Sequence, residues 1–129
     1  MWTTLVGQHL DAGHIHPSNS AFASPAFLTH KVDVNEISRW VNDYRILNVN
    51  TVLDSHPLPC VDDILADCVK GQVWRKIEMT NLFFKTRVHL DDVHLMAMNT
   101  PLCLYKWLAI PMGLKKTPPI HQQRVNMAL

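Results

Sequence analysis

The sequence predicts an α+β fold. Three observations carry that prediction. Short segments of strand character come in pairs, as in "AFLTHKV" followed by "SRWVNDYR". One segment, "VDDILADCVKG", has clear helical periodicity and a glycine at its end. Strand pairs and helices then alternate along the whole chain, with no internal repeat and no low-complexity tract.

Size and composition bound the rest. The chain has 129 residues, 47% of them apolar, enough for one domain with a real core. No apolar run approaches the ~18 residues of a membrane span, so no membrane association is expected. The start, "MWTTLVGQHLDAGHIH", lacks the basic head and long apolar middle of a signal peptide. The three cysteines, Cys60, Cys68 and Cys103, are odd in number and form no CxxC pair. That argues against a disulfide framework and points to a reducing, intracellular setting. A net charge of +1 makes no general case for nucleic acid; any such case must come from local arrangement.

Each element has its own warrant. Trp2, Leu5, Val6, His9 and Leu10 recur at helical spacing, with Gly13 as the terminator. "HIHPSNSAFASP" is rich in Pro, Ser and Asn and is expected to be an extended loop. "AFLTHKV" and "SRWVNDYR" predict a hairpin turning at Asp33 to Glu36. "NTVLDSHPLPC" holds two closely spaced prolines and is expected to be an extended connection. In "VDDILADCVKG", Val61, Ile64, Leu65, Cys68 and Val69 form one apolar face. "QVWRKIEM" alternates as a strand does, and "FFKTRV", "HLMAM" and "LCLYKWLAI" read as further strands, with "LDDV" turning between the first two of these three. "PPIHQQRVNMAL" predicts a helix, since proline is tolerated in a first turn.

Several residues could carry chemistry. Glu78 closes the predicted strand "QVWRKIEM", and a carboxylate fixed by a sheet suits metal binding. Taken alone, it reads more simply as a solvated strand end. His14 and His16, and His89 and His94, are close in sequence, but no HExxH or Cys/His zinc pattern occurs. Asp62 and Asp63 sit where carboxylates favour a helix N-terminus, and Asp91 and Asp92 read the same way. Lys31, Arg39 and Arg45 lie on or beside the predicted hairpin. They could clamp phosphates or protect an edge strand by charge; on the residues alone the second is the simpler account. No P-loop, GxSxG or GxGxxG pattern is present.

Taken in order, the blocks "GHIHPSNSAFASPAFL", "RWVNDYRILNVNTVLDSHPLP", "VDDILADCVKG", "KIEMTNLFFKTRV", "LYKWLAIPMGL" and "PPIHQQRV" resemble a gypsy-type retrotransposon reverse transcriptase, an RNA-directed DNA polymerase. The resemblance runs from about Gly13 to Leu129. It implies the fingers and part of the palm of a right-handed polymerase, with fingers at about 1–53 and 86–116 and partial palm at about 54–85 and 117–129. It implies that Glu78 stands where the family has its first catalytic Asp. The Met79 backbone carbonyl would be a second ligand to Mg²⁺. Phe83 would exclude a ribonucleotide's 2′-hydroxyl. Lys31 and Arg39 would hold the triphosphate, and Met112 and Gly113 would lie under nucleotide and template. The implied partners are an RNA template, a DNA primer and deoxynucleotides.

The departures matter as much. The family's other two catalytic aspartates belong to a Tyr-x-Asp-Asp turn, and the sequence holds no such turn; the resemblance therefore implies a domain truncated before it. Two-metal phosphoryl transfer uses ions about 3.5–4 Å apart, and one carboxylate does not hold two ions. Glu in place of Asp adds a methylene, and misplacement of about 1 Å costs on the order of 10²-fold in rate. Cys103 stands for a family Gly, which costs most where positive φ is needed. Val32 stands for a second Lys, Lys106 for an acidic residue, and Thr117 for a small apolar one. Three functions compete: a reverse-transcriptase fragment without polymerase activity of its own, part of an active polymerase completed by another segment, and a weak nucleic-acid-binding module using Lys31, Arg39, Arg45 and Arg87. The partial palm is expected to expose an open sheet edge and an uncovered apolar face, and so to be poorly soluble or only partly ordered.

Overall fold

A computed structural model describes residues 1–30, 32 and 38–128. The expected turn at Asp33 to Glu36 and the candidate Lys31 lie outside the described residues. The elements run α1 (Trp2–Asp11), β1 (Ile15–Pro17), β2 (Ser24–Thr29), β3 (Arg39–Asn42), α2 (Arg45–Val49), α3 (Val61–Val69), β4 (Ala97–Asn99), β5 (Leu104–Trp107) and α4 (Thr117–Ala128), with 3₁₀ turns at Leu82–Lys85 and Leu90–Met96. The α+β class holds.

The five strands form one sheet in the order β1-β5-β4-β2-β3. β2 and β3 pair antiparallel from Ala26↔Asn42 to Thr29↔Arg39, as the hairpin reading requires. β4 pairs antiparallel with β5 and parallel with β2, joining the hairpin to the later strands. β1 pairs with β5, so "HIHPSNSAFASP" begins with a three-residue strand rather than being loop throughout. Gly13 follows α1 at φ +68°, a left-handed conformation that costs glycine little.

The core lies on one side of this sheet. Val6 of α1 packs with Ile15, Tyr44, Met96, Met98, Tyr105 and Trp107. An aromatic cluster extends it: Phe84 stacks on Trp107 at 5.4 Å and 9°, and Trp40 meets Trp107 and Trp2 edge-on at 5.4 and 5.0 Å. Each such pair adds about 0.5–1.5 kcal/mol beyond area burial. Buried Asn42 ties the cluster together by accepting from the Trp40 indole N–H at 3.0 Å and the Trp107 indole N–H at 3.4 Å. Burial of the Tyr44 phenol pushes its pKa upward, and its hydroxyl donates to the Met96 carbonyl.

Four strand expectations need correction. "QVWRKIEM" forms no strand: residues 72–79 are exposed and without regular structure. Alternation supplies two faces, but a strand exists only when its backbone groups pair with a neighbour. No strand among the described residues lies beside it. "FFKTRV" is a 3₁₀ turn over Leu82–Lys85, followed by a single bridge from Arg87 to Ala109. "HLMAM" is 3₁₀ through Met96, so "LDDV" coils as part of that turn, and only Ala97–Asn99 is strand. In "SRWVNDYR" the strand stops at Asn42, and Arg45 opens the short helix α2, which periodicity did not reveal. The predicted helix α3 is present with Asp62 and Asp63 in its first turn, yet none of its residues is buried.

Candidate nucleic-acid interface

Local geometry positions each candidate residue. Period-two alternation puts Trp40 and Asn42 of β3 into the core, so Arg39 faces the other way, exposed. Its carbonyl accepts a 3.5 Å hydrogen bond from the Thr29 hydroxyl. Arg45, at the start of α2, forks onto Asp43 through Nε at 2.8 Å and Nη2 at 2.7 Å. Those bonds hold the Asp43 carboxyl down at about 2 and occupy the guanidinium that the sequence offered to phosphate. Arg87 is exposed at the bridge to Ala109.

The loop carrying Met112 and Gly113 is built from two sides. Pro111 is buried, and its carbonyl accepts from the Thr117 hydroxyl at 3.3 Å. Gly113 has φ +100°, and a Cβ there would sit 3.4 Å from the Asn42 carbonyl oxygen. Positive φ and close backbone approach are both conditions that only glycine meets without strain. Asn48 of α2 holds the far side: its Nδ2 donates to the Gly113 carbonyl and its Oδ1 accepts from the Lys115 N–H, each at 2.8 Å. Met112 is left exposed at the apex. The structure thus brings Met112 and Gly113 beside β3, the strand that carries Arg39.

Glu78 and Met79 are exposed in the segment without regular structure. The chain then kinks at Asn81, whose φ of +52° makes it the only non-glycine residue with positive φ among those described. Asn tolerates that conformation through its short polar side chain. Cys103 therefore does not adopt the positive φ that would have penalised it in place of glycine. After the kink, Phe83 is half-buried and meets His121 of α4 edge-on at 5.6 Å. Phe84 points into the core, sandwiched between Trp107 and His14. Arg124 of α4 closes the turn by donating to the Thr86 hydroxyl at 2.7 Å and the Lys85 carbonyl at 3.3 Å.

The metal expectation meets a plain obstacle. Among the described residues, no three His, Cys, Asp or Glu side chains come together as a metal site. Glu78 with the Met79 carbonyl does not satisfy the six-coordinate demand of Mg²⁺, so these residues do not fit a magnesium centre by themselves.

Sequence reasoning missed two features. His9 and His14 pair through their Nδ1 atoms at 3.1 Å, and His9 lies within 5.0–5.5 Å of the Trp107, Phe84 and Trp40 ring centres. Burial, then the neighbouring His14, lowers the His9 pKa to about 4. His9 was on the apolar stripe of α1, which was the available signal. Asn48 was missed because its helix was missed. A cavity of about 820 Å³ also lies beside this region, lined by Ile46, Leu47, Arg87, Leu95, Leu114 and Lys116 among others; it includes the candidate Arg87 but not Arg39, Arg45, Glu78, Phe83, Met112 or Gly113.

Comparison with known proteins extends the geometry. No family model matches the chain. It is 31% identical over 127 residues to the retrovirus-related Pol polyprotein from transposon 297 of Drosophila melanogaster, covering 96% of this chain and 12% of that protein. It is 31% identical over 126 residues to the enzymatic polyprotein of figwort mosaic virus, covering 93% of this chain and 18% of that protein. Transposon and plant-virus proteins thus match alike, and the comparison does not single out the gypsy-type branch. Among solved structures, the foamy viral protease-reverse transcriptase in complex with dsDNA superposes with a TM-score of 0.83 at 21% identity, over 98% of this chain and 26% of that one. The same enzyme in complex with an RNA/DNA hybrid gives 0.78 at 22% identity, over 93% and 16%. The chain therefore spans only a small part of the length of every relative named here.

Proposed function

We propose that this chain, similar in sequence to a part of retrotransposon and viral polyproteins and in fold to a part of reverse transcriptase, supplies the fingers and the beginning of the palm of an RNA-directed DNA polymerase. In this reading, fingers comprise about 1–53 and 86–116, and partial palm about 54–85 and 117–129. Its contribution is to bind template–primer and the incoming deoxynucleotide, not to carry out polymerisation alone.

The observation that carries this reading is the nearly full-length likeness of this chain to those polyproteins. The loop at Met112 and Gly113, held beside the strand of Arg39, supports a nucleotide-facing role for these residues, with Lys31 assigned alongside. Phe83 is assigned the position beside the sugar. Glu78 is assigned at most one ligand of a metal site whose other carboxylates come from elsewhere. Two-metal chemistry needs several convergent carboxylates, and among the described residues Glu78 belongs to no group of three or more possible ligands.

A second reading, that the chain forms part of an active polymerase completed by another segment, has its own support. The apolar side of α3 is open, with Val61, Ile64, Leu65 and Val69 between 47% and 84% exposed. A face of that kind suits packing against further palm structure.

Nucleic-acid binding tests the main reading. The full chain is titrated against a fluorescein-labelled DNA primer annealed to an RNA template, read by anisotropy. Binding is expected to weaken steeply between about 50 and 200 mM salt, because phosphate contacts release counterions. Arg39→Ala is expected to weaken it further and flatten the salt slope. Absence of binding, or binding indifferent to salt, contradicts the reading.

A further inference from the structure

We infer that Asn48 is a positioning residue that sets the Met112–Gly113 loop for template and nucleotide; this rests on the reading of the chain as a reverse-transcriptase segment. The loop's own sequence does not settle its shape. Gly113 at φ +100° has wide conformational freedom, and Met112 at the apex is exposed. Three contacts restrict it. Thr117 holds Pro111 on one side. The Asn42 carbonyl lies close against Gly113. Asn48 holds the other side with both ends of one amide, donating to Gly113 and accepting from Lys115 at 2.8 Å each.

The two Asn48 bonds are separated by 65 and 67 residues of chain. They fix α2, which follows directly from β3, to the loop. A side chain that meets a donor and an acceptor on one loop specifies its orientation as well as its distance, since each bond restricts a different backbone group. Asn50, two residues on, differs: its amide donates to the Ile46 carbonyl of α2 at 3.0 Å and makes no hydrogen bond to the loop. It provides a control for helix stability.

The test compares wild type, Asn48→Ala and Asn50→Ala as full chains, using the fluorescein-labelled primer on RNA template. Amide hydrogen exchange is followed at Lys115 and at buried Met98 and Trp107. Asn48→Ala is expected to weaken binding by about tenfold, the factor carried by two ordinary hydrogen bonds. The salt slope is expected to stay unchanged, because no phosphate contact is removed. Exchange at Lys115 should rise while Met98 and Trp107 stay protected, and Asn50→Ala should bind within about twofold of wild type. Wild-type affinity in a folded Asn48→Ala protein overturns the inference and leaves the functional reading intact. So does weakened binding that comes with lost protection at Met98 and Trp107, which marks a general structural role. No binding by wild type overturns the functional reading and this inference together. Should Asn48→Ala fail to fold, Asn48→Ser serves in its place, with the same expected pattern at reduced size.

Discussion

The stretch from Ala97 to Trp107 and the stretch from Val61 to Ile77 are both rich in apolar residues at regular spacing. Their fates differ. Ala97, Met98, Tyr105 and Trp107 are between 0% and 9% exposed, whereas Val61, Val69, Val73 and Ile77 are between 68% and 84% exposed. Periodicity tells which residues share a face. Burial depends on whether another element covers that face, and that is a property of the whole fold. β4 and β5 have β1 and β2 beside them and α1 against them. The segment around α3 has no such neighbour among the described residues. In the proposed reading, the first region is finished fingers and the second is palm.

The largest effect is expected at the centre of the buried region. Trp107→Ala removes a ring that stacks on Phe84 and meets Trp40 and His9, and is expected to cost about 3–5 kcal/mol. A chain this small has little reserve, so its thermal unfolding transition, followed by near-ultraviolet circular dichroism, should broaden or vanish. An unchanged melt would show that the aromatic cluster does not hold the sheet.

A smaller loss, about 1–3 kcal/mol, is expected for Asn42→Ala, which leaves the indole N–H groups of Trp40 and Trp107 buried without an acceptor. Urea titration reads it directly. If Asn42→Ala is neutral, the polar tie within the cluster carries no net stability.

Acid should loosen the same region. His9 titrates near 4 in the folded chain, below its ordinary value of 6.5, so the unfolded chain takes up the proton first. Stability is then fully present above about pH 6.5 and declines as pH falls towards 4. His14, lowered by burial and then by Lys85 and Arg87, acts in the same direction. His9→Phe should flatten the dependence of the urea midpoint on pH over this window. A wild-type midpoint that is level from pH 7 to 4.5 would contradict the buried placement of His9.

The smallest effects belong to the exposed region. Ile64→Ser and Leu65→Ser should change stability by no more than about 0.5 kcal/mol, while reducing self-association in light scattering because they remove exposed apolar surface. A loss of 2 kcal/mol or more would mean that α3 is packed after all, and the contrast between the two regions would fail.

Much of this was legible in the chain itself. The hairpin of β2 and β3 followed from alternation, α1 and α3 from helical spacing, and α4 from prolines confined to its first turn. What escaped depended on contacts distant in sequence. "QVWRKIEM" has the alternation of a strand but lacks a partner, which no local pattern reports. α2 is five residues long, too short for periodicity to register. The site was legible in part. Six ordered blocks assign roles to Arg39, Phe83, Met112 and Gly113 by resemblance; what the structure adds is that the loop of the last two lies against β3, the strand of the first. The bidentate hold of Asn48 on that loop, and the Asp43 fork that occupies Arg45, are three-dimensional facts that composition and spacing do not encode.

The central claim is that these residues form a platform for template and nucleotide without a complete catalytic centre. It is tested most directly by primer extension with the purified chain, an RNA template, deoxynucleotides and Mg²⁺ or Mn²⁺, with Glu78→Ala alongside. The account predicts no extension by either protein, from samples whose circular dichroism shows a folded sheet. Extension by the wild type that disappears in Glu78→Ala would contradict it, because Glu78 would then belong to a working metal centre within these 129 residues.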